Sequence, residues 1–224
     1  MNYHLNGIAN ALFFLLSIIG IWLQFIKILK EENSTFMLSI DQFTSSFIAY
    51  LSFFIYGFCL NIVCHYIVWP RLIAIILTLI ILFMIMKDRK TIKSVTIFFI
   101  CLLLFTASIV FIIYGPRIVL YNIYFSHYLI IFATIIIGQG YVHQIMIIRK
   151  TGKTGTVSLK MHQLTFLKDL SGVTFGSSMG FMLGWPIILL NGVGAITKII
   201  LIWHFRWVKY SLIAKSRRSI TTNI

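Results

Sequence analysis

The apolar stretch GFMLGWPIILLNGVGAITKIILIWHFRW, residues 180–207, carries an amide and an amine seven residues apart, Asn191 and Lys198. Seven residues are two turns of α-helix, so both side chains project from one face, with Gly194 and Ala195 between them leaving room. The preceding apolar stretch holds Lys168 and Asp169. A charged side chain at mid-bilayer costs about 2.5 to 3.5 kcal/mol on insertion scales, so these groups require partners or water. Neighbours in sequence diverge by about 100° around a helix, which sends Asp169 to another element for its partner. At about 1.5 Å per residue from the basic helix ends, Asp169 lies roughly 15 Å deep and Lys198 roughly 12 Å, which makes Lys198 the expected partner. The face reads as a solute path: Asn191 offers hydrogen bonds, the small residues make space, and Lys198 either pairs with Asp169 or binds an acidic group of the solute. The plainer alternative is that Lys198 snorkels to headgroups while Asn191 ties helices together.

Such residues need membrane-spanning elements to carry them, and the composition supplies these. The 224-residue chain is 59% hydrophobic and 11% charged, outside the soluble range. With about 20 apolar residues per crossing, polar breaks delimit seven runs, at 8–29, 38–60, 67–87, 94–114, 118–148, 160–183 and 185–206. The fifth is longer than one crossing needs, and its opening RIVLYNIYFSHY reads as a tilted or interfacial extension. The expected fold class is an all-α membrane protein with seven transmembrane helices and no soluble domain. The start, MNYHLNGIANALFFLLSIIG, lacks a basic leader and a small-residue cleavage site, so the first run is expected to remain in the mature protein.

A formal charge of +14 first suggests a nucleic-acid partner, but its distribution excludes that reading. Lys27, Lys30, Lys87, Arg89, Lys90, Lys93, Arg149, Lys150, Lys153, Lys160, Arg206, Lys209, Lys215, Arg217 and Arg218 all fall on one side of a seven-span zigzag. Arg71 and Arg117 fall on the other, and Lys168 and Lys198 lie inside spans. This asymmetry puts the amino terminus outside and the basic tail in the cytoplasm, near anionic headgroups, in a cell (inner) membrane. Cys59, Cys64 and Cys101 have no metal-ligand spacing, nor have His65, His127 and His204, so neither metal nor cofactor is expected. Five-residue spacing on a helix points Cys59 and Cys64 apart, against a disulfide.

The two ends of the chain repeat. Gln24 and Gln144, Ser39 and Ser158, and the pairs Trp69-Pro70 and Trp185-Pro186 recur in order at offsets of 120, 119 and 116 residues. Singly, an aromatic belt with a helix-opening proline, or a serine cap, explains each. Together they divide the chain into a three-helix repeat at 1–90, a linker helix at 91–116, a second three-helix repeat at 117–208 and a basic tail at 209–224. An odd number of linking spans keeps both repeats in the same orientation.

This 3+1+3 plan, the glutamine followed by NSTFMLS or KTGTVS, and the helix starts WPRLIAII and WPIILLNGVG resemble the PQ-loop transporters and the related SWEET (MtN3-like) sugar transporters. Both repeats lack the family's proline before the glutamine, having Leu23-Gln24 and His143-Gln144. Gly20, Gly138 and Gly140 are the expected bends in its place, since glycine loosens a helix by about 1 kcal/mol relative to alanine, with Pro70 and Pro186 as further gating positions. The resemblance implies that Asn191 faces a central pocket; its counterpart is Ile75, so the pocket is asymmetric. LKDLSGVTFG resembles the Asp-aromatic-Thr-Gly segment of cystinosin-like members, with Asp169, Ser171 and Gly172 matching and Leu170 in place of the aromatic. That likeness implies that Asp169 is the proton-coupling site. Asp41 is a second carboxylate, placed where a solvated helix cap also explains it.

The expected function is a transporter of a small polar solute, an amino acid or related compound, working by alternating access and coupled to protons through Asp169. The expected solute contacts are Asn191, Lys198, Gln24, Gln144, Lys168 and Tyr50. Gln24 and Gln144 suit hydrogen bonding between helices equally well, and Tyr50, Tyr56 and Asn61 also suit packing. His143 beside Gln144 is a group that titrates near neutrality. The alternatives are a SWEET-like sugar uniporter and a seven-helix sorting-receptor-like protein that binds a peptide carboxylate. An enzyme is not expected, because no Gly-x-Ser-x-Gly, paired intramembrane Asp or metal-binding His pattern occurs. Oligomeric state, homo-oligomer included, is open.

Overall fold

The computed structural model describes residues 3–30, 34–60, 62–114 and 123–220. Asn61, Arg117 and the opening of the fifth apolar run lie outside them. The described residues form the helices α1 (Tyr3–Lys30), α2 (Ile40–Cys59), α3 (His65–Arg89), α4 (Ile92–Tyr114), α5 (Ile123–Thr151), α6 (Leu159–Ser178), α7 (Phe181–Tyr210) and α8 (Leu212–Ile220), with a 3-10 turn at Ser34–Met37. No strand occurs among them.

Five of these helices, α1, α3, α4, α5 and α7, are long and apolar enough to cross a membrane. The seven apolar runs read from the sequence include two, α2 and α6, that fall short of that measure. Both pack against other helices, α6 along one face only. α2 is buried along most of its length, and α6 turns His162, Thr165, Lys168, Asp169, Ser171 and Gly172 inward. A helix enclosed by other helices needs less lipid-compatible surface and tolerates polar residues.

The packing has an exchange symmetry. α1 packs on α6 and α3, and α2 packs on α3 and α5; likewise α5 packs on α2 and α7, and α6 packs on α7 and α1. Replacing α1, α2 and α3 with α5, α6 and α7 returns the same pattern. α4 leans on α3 and α2, burying Ser94, Cys101 and Ser108, a small-residue stripe at seven-residue spacing, with Ile97, Phe98, Phe105 and Ile112 half-buried beside it and much of the apolar remainder exposed. The tail is folded: α8 packs on α5 and α7, and Arg217 Nη1 donates to the Arg149 carbonyl.

Local sequence explains the helix boundaries. Ser39 and Ser158 cap α2 and α6, each hydroxyl accepting from a backbone N–H three residues on, Gln42 at 3.1 Å and Met161 at 3.2 Å. The break before α7 falls at Met179–Gly180, not near Gly184 as the sequence reading has it. Gly180 has φ +80°, a turn conformation glycine adopts without strain, whereas Pro186 lies five residues inside the helix. Gly184 serves α6–α7 packing instead: a Cβ there would overlap the Gly176 carbonyl. Cys59 and Cys64 flank the turn between α2 and α3 rather than sharing a helix, and all three cysteines are free thiols.

Gly184→Val forces α6 and α7 apart. It is expected to destabilise the protein by about 1 to 3 kcal/mol, read as a lower melting temperature in detergent, whereas Gly192→Ala, with open space around it, should melt like the parent. Equal melting of the two variants would show that this contact is slack.

Candidate functional site

Asp169 on α6 is 1% exposed and carries two amines, one on each carboxylate oxygen. Lys198 Nζ of α7 donates to Oδ2 at 2.5 Å, and Lys168 Nζ contacts Oδ1. Asp169 meets the expected Lys198, and also Lys168, although neighbouring Cα–Cβ bonds on a helix diverge. The flexible four-carbon lysine stem overcomes that divergence, and both amines reach the carboxylate. Lys198 also donates to the Gly194 carbonyl at 3.4 Å and lies 4.9 Å over the Tyr141 ring. The room expected beside Gly194 is filled by the Asp169 carboxylate, against which any Cβ at that position would press.

Two turns along the same face, Asn191 is fully buried, its amide seated in the notch that Gly172 leaves on α6. Its Nδ2 donates to the Ile187 carbonyl at 2.8 Å, and its Oδ1 has no partner. Tyr50 of α2 stands edge-on to Phe14 at 5.8 Å. Phe14 is the hub of the remaining charge. The Arg71 guanidinium lies 4.5 Å from its ring centroid and Lys168 Nζ 5.4 Å.

Arg71 is the functional candidate that the sequence reading missed. It was counted as a charge on the outer side, yet it is 1% exposed, held between Phe14 and Phe53. The missed signal was its place directly after Pro70. Proline has no N–H, so the Tyr66 carbonyl loses its helical donor, and Arg71 Nη1 stands 3.5 Å from that oxygen and 3.4 Å from the Ile67 carbonyl. Its Nε has no partner. Asn10, Gln42 and His162 are likewise buried with both polar side-chain atoms unpartnered. Folded proteins leave few such groups, and these four lie on four different helices, α1, α2, α6 and, for Arg71, α3.

The end of the bundle at which α1 and α5 finish and α2 and α6 begin is closed by reciprocal braces. Gln24 Oε1 accepts from Ser158 N–H at 2.7 Å while its Nε2 donates to the Thr156 carbonyl at 2.9 Å. Gln144 Oε1 accepts from Ser39 N–H at 2.6 Å. Each glutamine thus holds the helix start of the opposite group, and the repeated landmarks of the sequence meet crosswise. Lys27 donates to the Gly155 carbonyl at 2.9 Å, and Asp41 pairs with Lys93 at 2.9 Å and His143 at 2.7 Å. α1 and α5 run unbroken through Gly20, Gly138 and Gly140. Gly20 lies against Met161 of α6 and Gly140 against Ser45 of α2, where side chains would collide, whereas Gly138 meets only Val193 at ordinary contact distance. Toward the other end, a cavity of about 580 Å³ opens among Tyr3, His4, Leu60, Val63, Ser178 and Leu183. Pro70 and Pro186 lie in the helices beside it, and Tyr56 O–H ties α2 to the Leu183 carbonyl at 2.5 Å. Among the described residues no His, Cys, Asp and Glu cluster gathers that would hold a metal.

No family model matches the chain, and no curated protein does. Among solved structures, the 3.7 Å structure of a eukaryotic SWEET transporter superposes with a TM-score of 0.62 at 14% identity, over 92% of this chain and 96% of that one. The likeness shows a SWEET-like helical fold, and with the five apolar helices it makes this chain an integral membrane protein.

Asp169→Asn strips both lysines of their counter-charge. Removing one partner of a buried pair costs about 3 to 5 kcal/mol, so the variant should melt well below the parent, and adding Lys198→Met should recover part of the loss. Singles and double that melt independently, with no coupling energy, would show that the pair carries no structural load.

Proposed function

We propose that this protein is a multi-pass transporter that moves a small polar solute by alternating access, built as α1–α3 and α5–α7 around a central site with α4 as the link. The observation that carries the reading is the buried polar cluster at the meeting of the two groups, closed at one end by the crossed Gln24 and Gln144 braces and approached at the other by the cavity beside Tyr3. The exchange symmetry of the packing and the 116-to-120-residue offsets support two repeats at 1–90 and 117–208 in parallel orientation. The basic face, with the braces and α8, is the cytoplasmic one under the positive-inside rule.

In this reading Asn191, Lys198, Lys168 and Tyr50 meet the solute, and Gln24 and Gln144 act by holding the cytoplasmic end shut. Opening that end requires both braces to release, with Gly20 and Gly140 as the points over which α1 and α5 slide or bend. An amino acid or related compound suits the charged second repeat. Asp169 is the carboxylate whose lysine contacts open and close during the cycle, and it is the group that takes a coupling proton. The SWEET-like fold favours a second reading, a sugar uniporter, with Asn191 the contact for hydroxyl groups.

The protein reconstituted in liposomes is expected to exchange a labelled solute saturably, and a pH gradient should drive accumulation in the parent and not in Asp169→Asn. Equal pH dependence in both would remove Asp169 from coupling, and absence of flux for every amino acid and sugar tried would contradict transport. Gln24→Ala and Gln144→Ala, each deleting one brace, should raise access of a water-soluble label from the cytoplasmic side severalfold. Unchanged access would show that the braces do not gate.

A further inference from the structure

Resting on the transport reading, we infer that the solute is a small organic anion, its carboxylate seated by Arg71 and Lys168 beside the Phe14 ring. The charges at the centre do not balance. Three basic side chains, Arg71, Lys168 and Lys198, are buried there with one carboxylate, Asp169. The other acids among the described residues lie at the basic end: Asp41 is taken by Lys93 and His143, and Asp88 by Thr35. Asp169 satisfies two lysines through its two oxygens, and no carboxylate among the described residues pairs with Arg71. Among the described residues its guanidinium meets aromatic faces and two long carbonyl contacts, with no carboxylate within ion-pair distance. A buried, uncompensated guanidinium is costly unless an anion completes it, and its planar fork matches a carboxylate.

The surroundings fit that ligand. Arg71 and Lys168 address the same phenyl ring, at 4.5 and 5.4 Å from its centroid, which brings both cations to the neighbourhood of one side chain. Asn10 lies one helical turn before Phe14 on α1, with both amide atoms buried and unpartnered, a donor for the same group. Asn191 Oδ1, buried without a partner among the described residues, is an acceptor for a hydroxyl or amine elsewhere on the solute. Tyr66 lies between this place and the cavity: its ring stands 6.4 Å from Tyr3, which lines the cavity, and its carbonyl is one of the two near Arg71. A solute whose net charge is negative reduces the excess of positive charge at the centre; a cation adds to it.

The test is melting of the purified full chain against lactate and L-glutamate, with L-lysine, glucose and inorganic phosphate as comparisons, up to about 10 mM, a range that covers millimolar affinity. At least one carboxylate is expected to raise the melting temperature saturably. Arg71→Gln keeps an N–H for the Tyr66 carbonyl and loses the charge, and should weaken that response by about tenfold or more. Asn10→Ala, which leaves Arg71 in place, should weaken it less. Stabilisation by glucose or lysine alone, by phosphate but neither carboxylate, or by none of them overturns the inference, as does an undiminished response in Arg71→Gln. Counterflow in vesicles separates the two claims. Glucose or lysine flux without carboxylate binding sinks the anion and spares the transporter, and carboxylate binding without flux of any probe does the reverse.

Discussion

Everything in this molecule is arranged around one carboxylate between two ammonium groups. Asp169, Lys168 and Lys198 are each almost fully removed from solvent, a placement that costs several kcal/mol per ion before any attraction repays it. Their geometry repays it only while α6 and α7 stay in close contact. That closeness comes from glycine: Gly172 admits Asn191, Gly194 admits the carboxylate, and Gly176 and Gly184 bring the backbones together. Ionisable groups this deep in a bilayer are expensive and mark a candidate functional site.

Around this centre the chain uses the same contact twice. A glutamine near the end of α1 or α5 reaches across to the capping serine that starts α6 or α2, so the hydroxyl caps its own helix while its N–H is held by the other group. In lipid, where burying apolar surface yields little, such hydrogen bonds and glycine contacts are what join helices. Two reciprocal braces at one end and a cavity at the other describe a bundle closed on its basic face.

Much of this was legible in the sequence, and the exceptions have physical causes. Gln24, Gln144, Ser39 and Ser158 stand out by offset, but sequence order does not say which group each glutamine faces, so their crosswise meeting emerges only from the fold. The Asp169–Lys198 pairing follows from depth. The Lys168 contact does not, because rotational bookkeeping on a helix ignores the reach of a lysine stem. Arg71 beside Trp69-Pro70 looks like an interfacial charge, and its burial depends on Phe14 and Phe53, which other helices deliver. Trp185-Pro186 resembles a helix start, but the helix begins a turn earlier, after Gly180, and carries Pro186 inside it. α2 and α6 read as ordinary spans, yet the faces they turn toward other helices carry the buried polar residues.

The central claim is that the buried polar cluster lies on a water-accessible route between the two groups of helices. The most direct measurement places a cysteine at Asn191, with Cys59, Cys64 and Cys101 replaced by serine, and reacts the membrane-embedded protein with a charged, membrane-impermeant thiol reagent applied from one side and then the other. Labelling from the Tyr3 side, slowed by a bound solute, is the predicted result. A cysteine that ignores the impermeant reagent from both sides but reacts with a lipid-soluble maleimide would contradict the account.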